Sequence, residues 1–284
     1  MKHGLAVLLM LACAACATAP VRSTQMSAPI DTKMVVPTQV PQGSLAFGRV
    51  APGSRVVYDD KVLRVSADGR FVFGVAREQT GIAHLQVTPP GGLTLTTNIT
   101  IINRDFPLER VDGVPEATVN PPPDIAARIE REQAEVSAAR LRDDDRNDYD
   151  VHYIWPVVGR ISGVFGSQRV YNGTPKSPHS GLDVAVPKGT AIQAPAAGIV
   201  TFANTDLYLT GGTVLIDHGH GVSSNFLHMS RIDVKVGDRV EQGQVIGLVG
   251  ATGRATGPHM HWGMNWFGVR VDPQLLVDPK ANPQ

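Results

Sequence analysis

Cysteine is nearly absent from this 284-residue chain: there are two, Cys13 and Cys16, both at the end of the first apolar stretch. With no disulfide framework, the protein must be held by its apolar cores, and its length allows more than one. Net charge is absent too, with 26 Lys plus Arg against 26 Asp plus Glu. That balance argues against a nucleic-acid partner and gives no steering toward a strongly charged surface. The apolar run near the start falls short of the roughly 20 residues that a transmembrane helix needs. The helical zinc motif H-E-x-x-H is missing, which excludes the helical zinc proteases.

Histidine, by contrast, is concentrated. Of the nine in the chain, seven fall between His152 and His261. Two short segments, SPHSGLDVAVPKGT and GATGRATGPHMHWG, hold His179, Asp183, His259 and His261. Together they offer nitrogen and oxygen ligands suited to a zinc ion that keeps one position open, although histidines also ligate other divalent metals. Such a site makes hydroxide available near neutral pH, which hydrolysis of an amide requires. His259 and His261 are two apart, so in a strand both point to one face while Met260 and Trp262 point to the other. His179 and Asp183 are four apart, but Pro178, Gly181 and Pro187 argue for extended chain rather than helix. In a straight strand they would stand roughly 13 Å apart, so a turn at Ser180-Gly181 is expected to fold them together. His228, in SSNFLHMS, can take or return a proton near neutral pH. His218 and His220, in IDHGHG, are read as structural.

The segments HSGLD, FLHMS and GPHMHWG resemble those of the lysostaphin-type (LytM-like) zinc metallopeptidases, which cut peptide cross-bridges of bacterial peptidoglycan. The likeness runs from about Pro156 to Pro273. Spacing alone leaves open which of His259 and His261 binds metal; the resemblance implies His179, Asp183 and His261 as ligands of one zinc ion per chain. It implies His228 and His259 as the two catalytic histidines. Phe226 stands where the family often has Tyr, and Met229 and Met260 where Leu is frequent. Some relatives of this fold have lost ligands and activate cell-wall amidases without being enzymes; here the set is complete. The implied activity is zinc-dependent endopeptidase action on peptidoglycan cross-links, with D-Ala to diaminopimelate bonds expected. The alternative is a non-enzymatic wall-binding or amidase-activating protein. Two rivals from related folds fail: Lys176, Lys188, Lys235 and Lys280 lack a lipoyl-carrier context, and a cytoplasmic phosphotransferase would need neither Asp183 nor an export signal.

The rest of the chain is expected to divide as follows. Residues 1–16 read as a secretory signal, with lipid attachment at Cys16 or Cys13 as the sharper reading beside plain cleavage. Residues 17–43, rich in Pro, Thr, Ser and Gln, read as a flexible tether. Residues 44–110 show short β segments with turn punctuation, Asp68-Gly69 marking a hairpin, and suggest an immunoglobulin-like module. Residues 111–150 form a Pro-rich and helical linker: Pro121-Pro122-Pro123 is stiff, Asp124 is placed as N-cap, and strong helix formers follow. Ile125, Ile129 and Val136 share a face that should pack on a domain. The run Asp143, Asp144, Asp145, Asp148 and Asp150 reads as a solvated linker face. Residues 151–284 are the peptidase domain, where Gly189 and Gly237 open comparable stretches. The predicted class is mainly β: an N-terminal immunoglobulin-like β module, a helical linker and a C-terminal duplicated-hybrid-motif β-sheet peptidase domain. An exported protein of the periplasm or outer-membrane-anchored envelope is expected, with peptidoglycan stem peptides and cross-bridges as partners and no nucleic acid.

Overall fold

Alternating apolar residues set the first layer. In the strand Ile82–Thr88, Ala83, Leu85 and Val87 are buried while their neighbours face outward, the period of a half-buried strand. The computed structural model describes Met1, residues 34–113 and residues 120–282. The signal and lipidation readings at Cys13 and Cys16, and most of the expected tether, lie outside these residues. Ile82–Thr88 belongs to a five-stranded sheet in the order Gln39–Pro41, Leu95–Ile102, Ile82–Thr88, Arg55–Tyr58 and Lys61–Leu63. A two-stranded sheet of Leu45–Arg49 and Arg70–Gly74 packs on it, with Tyr58 and Phe73 stacked 4.2 Å apart.

Two expectations are corrected here. The tether cannot extend to residue 43, because Val35 exchanges backbone hydrogen bonds with Arg49 and Gln39–Pro41 runs parallel to Leu95–Ile102. Val40 is buried, which ties this segment to the core. Asp68-Gly69 does form a tight turn, with Gly69 donating to Ser66 O and Gly69 at φ +87°. The strands on either side do not pair with each other, however: Lys61–Leu63 joins Arg55–Tyr58, and Arg70–Gly74 joins Leu45–Arg49. Local turn chemistry is legible in Asp-Gly; the partner is chosen by burial of Phe71 and Phe73.

The single α-helix among the described residues is Pro123–Ala139. Pro122 occupies the cap position and Pro123 the first turn, where a missing N–H costs nothing. Asp124 is therefore not the N-cap; it lies in the first turn and makes no capping bond, though its charge still suits that end of the helix dipole. Ile125, Ile129 and Val136 are half-buried. The helix docks on the strand Gly198–Leu207 and its following turn: Arg128 bonds Asp206, and Glu132 accepts from the Tyr208 N–H at 2.8 Å.

The acidic run after the helix is partly solvated, with Asp143, Asp145 and Asp150 exposed, but it is also paired with arginines. Asp143 takes a fork from Arg64 at 2.8 and 3.2 Å, Asp150 pairs with Arg70, and Asp148 with both Arg146 and Arg239. Its carboxylates meet arginines from both the N-terminal sheets and the C-terminal sheet. One apolar cluster also runs through both parts, from Val40 to Val277. Like charges so close in sequence are tolerable because Asp143, Asp144, Asp148 and Asp150 each meet at least one guanidinium.

The C-terminal half centres on an eight-stranded sheet. Its order is Arg239–Val240, Gly198–Leu207, Gly211–Gly219, Val222–Met229, Met260–Trp266, Leu182–Ala185 and Arg160–Gly163, with Val269–Val271 also paired to Met260–Trp266. Ala191–Gln193, Val245–Leu248 and Arg231–Ile232 form a second sheet. Met260, Trp262, Met264 and Trp266 face the apolar core between them, with Phe226, Val214 and Ile216. His261, Gly263 and Asn265 therefore occupy the opposite face, which the cross-strand register shares with Asp183, Asn225, Ser223 and Asp217. That face carries the site.

Candidate metal centre

Strand register brings the first pair together. Asp183 lies directly opposite His261 in the antiparallel pairing of Leu182–Ala185 with Met260–Trp266, and its Oδ1 is 2.8 Å from His261 Nδ1. His179 enters from the chain just before the strand. Its backbone N–H donates to Ser167 O and its carbonyl accepts from Gly166 N–H, and the turn through Ser180-Gly181 returns it toward Asp183. Gly181 makes this close return possible: a Cβ there would lie 2.4 Å from Trp262 O and 2.7 Å from His261 Nε2. His179 Nε2 then stands 3.1 Å from both Asp183 Oδ1 and His261 Nδ1.

These three atoms form a triangle of 2.8, 3.1 and 3.1 Å. Ligands about 2.0–2.2 Å from a tetrahedral zinc ion stand roughly 3.3–3.5 Å apart, so the triangle is slightly tighter than a filled site. Its proton accounting also suits a cation. His179 Nδ1 is 3.0 Å from Val164 O; a carbonyl can only accept, so Nδ1 carries the hydrogen and Nε2 presents its lone pair. That lone pair faces a carboxylate oxygen and a second imidazole nitrogen. His261 Nε2, on the far side of its ring, is buried without a partner. The donor set and its spacing fit zinc, and His179, Asp183 and His261 are the one such group among the described residues.

Burial alone would raise the Asp183 carboxyl, but hydrogen bonds and charge from His179 and His261 outweigh it and hold it well below the usual carboxylate range. Burial lowers His261 to about 4, against the opposing pull of Asp183. Both shifts favour the deprotonated forms that bind metal.

His228 and His259 flank the triangle. Their ring centroids are 4.8 Å apart, and His228 is 6.5 Å from the His261 ring. His228 Nδ1 donates to Thr252 O and His259 Nδ1 to Gly257 O, each at 2.8 Å. Both rings are thus fixed in the tautomer that leaves Nε2 as a base, and His259 Nε2 is 3.8 Å from Asp183 Oδ1. Burial pushes the His228 pKa down, partly countered by its bond to Thr252. The His228 backbone sits at φ +62°, the left-handed region that a non-glycine residue enters at a cost; the bond from its N–H to Thr210 O helps to hold it there.

His218 and His220 belong elsewhere. His218 is fully buried between Ala197 O at 2.7 Å and Ser224 Oγ at 2.9 Å. His220 is buried with Nε2 3.4 Å from Asp145 and neither ring nitrogen hydrogen-bonded. One neighbour of the site escaped sequence reasoning. Arg169 Nη2 is 3.5 Å from Asp183 Oδ2, the oxygen that points away from the triangle, and its Nε is 3.5 Å from Glu109. Glu109 comes from the strand Leu108–Val111, which pairs in parallel with Gln168–Tyr171; no local motif announces that meeting.

Comparison with known proteins bears on this arrangement. A profile of peptidase family M23 matches residues 177–273, a span that includes all five of these side chains. The chain is 42% identical over 124 residues to the peptidoglycan DD-endopeptidase ShyA of Vibrio cholerae serotype O1, covering 43% of this chain and 29% of that protein. It is 41% identical over 101 residues to the DD-carboxypeptidase/endopeptidase Mpg of Neisseria meningitidis serogroup B, covering 36% of this chain and 23% of that protein. The chain thus spans less than a third of the curated relatives it matches. A solved structure described as a putative peptidase M23 from Pseudomonas aeruginosa extends the likeness well beyond the peptidase segment, at 35% identity and a TM-score of 0.63. With 83% of this chain and 94% of that one aligned, the likeness takes in the N-terminal sheets as well as the segment that holds the candidate metal centre, and the chain belongs to peptidase family M23.

Proposed function

We propose that the chain is a zinc-dependent endopeptidase that hydrolyses peptide cross-links of bacterial peptidoglycan, with D-Ala to diaminopimelate bonds as its target. The observation that carries this reading is the convergence of His179 Nε2, Asp183 Oδ1 and His261 Nδ1, with two further imidazoles presenting Nε2 beside them. The peptidoglycan activities in the names of its relatives support the substrate class.

Zinc in such a setting supplies Lewis acidity toward a carbonyl oxygen and lowers the pKa of water to about 7. The chain's own groups do the rest. His179, Asp183 and His261 hold the ion. His228 and His259, each donating its Nδ1 hydrogen to a backbone carbonyl, leave Nε2 lone pairs free beside the Asp183 and His261 side chains. There they orient the attacking water, accept its proton and return one to the departing amine. The fixed tautomer matters because a ring free to change tautomer would at times carry its hydrogen where a base is needed. Arg169 draws Asp183 Oδ2 away and leaves Oδ1 to the metal.

Action on the wall implies export, and the reading includes a signal over residues 1–16, lipid attachment on Cys16 or Cys13, and a place in the periplasm or on the outer membrane. Digestion of purified sacculi by the zinc-loaded mature protein, with the fragments resolved by chromatography and mass spectrometry, tests the activity. Loss of cross-linked dimers with matching gain of tetrapeptide monomers is expected. Stoichiometric zinc without any bond cleavage would sink the enzyme reading in favour of a non-catalytic wall protein.

A further inference from the structure

The face that carries Asp183 and His261 continues beyond them along Met260–Trp266. Asn265 lies four residues past His261 on the same face, about 14 Å away at the rise of a strand. There the cross-strand row runs Asp217, Ser223, Asn265, Arg270. Arg270 Nη1 donates to Asn265 Oδ1 at 2.6 Å, while Asn265 Nδ2 donates to Asn225 Oδ1 at 3.1 Å, so the amide is fixed from both ends. Arg140, at the C-terminal cap of the helix, lies near enough to Arg270 for the two charges to repel. It is 9% exposed, and its Nε has no hydrogen-bond partner. The buried Ser223 Oγ has none either.

The two ends of this row differ in one respect. Asp217 is met by Arg146 and Arg142, whereas among the described residues no carboxylate lies at ion-pair distance from Arg140 or Arg270. Burial and the Arg270 charge push Arg140 down to about 9, and burial lowers Arg270 as well. Two like charges taken out of water side by side without a counter-ion are costly. Guanidinium forks match the two oxygens of a carboxylate, and hydrogen bonds to such an anion are the strong kind. Arg270 is only half-buried, so its outer edge remains open to a ligand.

We infer that Arg140 and Arg270, with Asn265 and Ser223 beneath them, form an anion subsite that holds a carboxylate of the peptide substrate about four extended residues from the scissile bond. This rests on the peptidase reading above, since an extended peptide advances about 3.4 Å per residue. Peptidoglycan stems supply the group: their D-glutamyl and diaminopimelyl residues carry free carboxylates within a few residues of the cross-link. Neutral, amidated stems would leave both guanidiniums unpaired and bind less well.

The test uses metal-free full-length protein, so that binding is read without catalysis. Calorimetric titration compares the stem tetrapeptide L-Ala-γ-D-Glu-diaminopimelyl-D-Ala with the same peptide bearing amidated carboxyls. The acid form should bind at least tenfold more tightly. Arg140→Gln and Arg270→Gln should each erase that preference, and Arg270→Lys should retain part of it. Arg140→Gln orphans no partner, so its melting temperature should hold; Arg270→Gln takes the donor from the buried Asn265 Oδ1 and should melt somewhat lower, and the wild-type comparison needs no variant. Equal affinity for the two peptides, or no measurable binding of the acid form at millimolar concentration, overturns the subsite. Inorganic phosphate binding as tightly as the acid peptide would reduce it to a small-anion site and overturn it as a substrate contact. Digestion of sacculi separates the two levels. Cleavage without carboxylate preference sinks only the subsite; acid-selective binding without cleavage sinks the peptidase reading and leaves the subsite.

Discussion

Gly181→Ala isolates the steric logic of the metal centre. Gly181 does not adopt a positive φ, so alanine has no backbone objection and the added methyl is the whole perturbation. Its Cβ would stand 2.4 Å from Trp262 O, 2.7 Å from His261 Nε2 and 2.9 Å from His261 Cε1. Such contacts open to at least 3.0 Å in real structures, so the backbone oxygen alone demands a shift of 3.0 − 2.4 = 0.6 Å. Trp262 is buried and paired with Leu182 and Phe226, so the strand resists and His261 gives way as well. Overpacking of this kind costs about 1–3 kcal/mol, which in a chain of this size lowers the melting temperature by about 2–4 °C per kcal/mol. Displacing a positioned ligand by even 1 Å can cost about 10²-fold in activity. Differential scanning calorimetry and zinc titration against a competing chelator read the two effects separately. Wild-type melting together with wild-type zinc affinity would refute the claim that the His179–Asp183 return is packed against His261.

Other outcomes are expected at named residues. His228→Ala and His259→Ala should each retain stoichiometric zinc by elemental analysis while losing about 10²–10⁴-fold in rate on cross-linked muropeptides; loss of zinc from either would reassign it as a ligand. Zinc at 100 times its Kd should stabilise the protein by about 2.7 kcal/mol, and His261→Ala should abolish that gain in thermal melts. Arg169→Gln should weaken zinc binding about 10–100-fold, as loss of an outer hydrogen-bond partner does, and unchanged affinity would leave Arg169 a surface ion pair. Burial holds His218 at about 4 in the folded state against about 6.5 for an exposed imidazole, so the unfolded chain takes up its proton first as pH falls. Its contribution is intact above pH 6.5 and is lost progressively toward pH 4, about 2 kcal/mol being gone at pH 5. Urea titrations at pH 7 and 5 should show a loss about 2 kcal/mol smaller in His218→Gln than in the wild type.

What the sequence disclosed and what it hid divide along a physical line. The two-residue spacing of His259 and His261 is a statement about one strand, and one strand's alternation is written locally; so is the turn chemistry of Asp68-Gly69. The glycine-rich stretches opened by Gly189 and Gly237 likewise end in strands, at Ala191–Gln193 and Arg239–Val240. Yet those two strands join different sheets, and nothing in their residues says which. Pairing depends on partners far along the chain, which is why the Asp68-Gly69 turn was legible and its strands' partners were not. Asp124 shows the same limit at short range: a good capping side chain loses its place when two prolines before it already fix the start of the helix.

Charge is where local reading misled most. Five aspartates between Asp143 and Asp150 look like a solvated run because their own neighbours offer few cations. Arg64, Arg70 and Arg239 reach them from elements that fold on either side. The converse holds at Arg140 and Arg270, which look like ordinary surface cations in sequence; Arg140 is buried and Arg270 half-buried, and neither meets an acid among the described residues. An acidic run that finds its arginines and an arginine pair that finds no acid are the same kind of fact, a long-range row across the sheet. The first closes the molecule on itself. The second leaves a charge demand unmet on the face that carries Asp183 and His261, and a peptide with free carboxylates is the ligand chemistry proposed to meet it there.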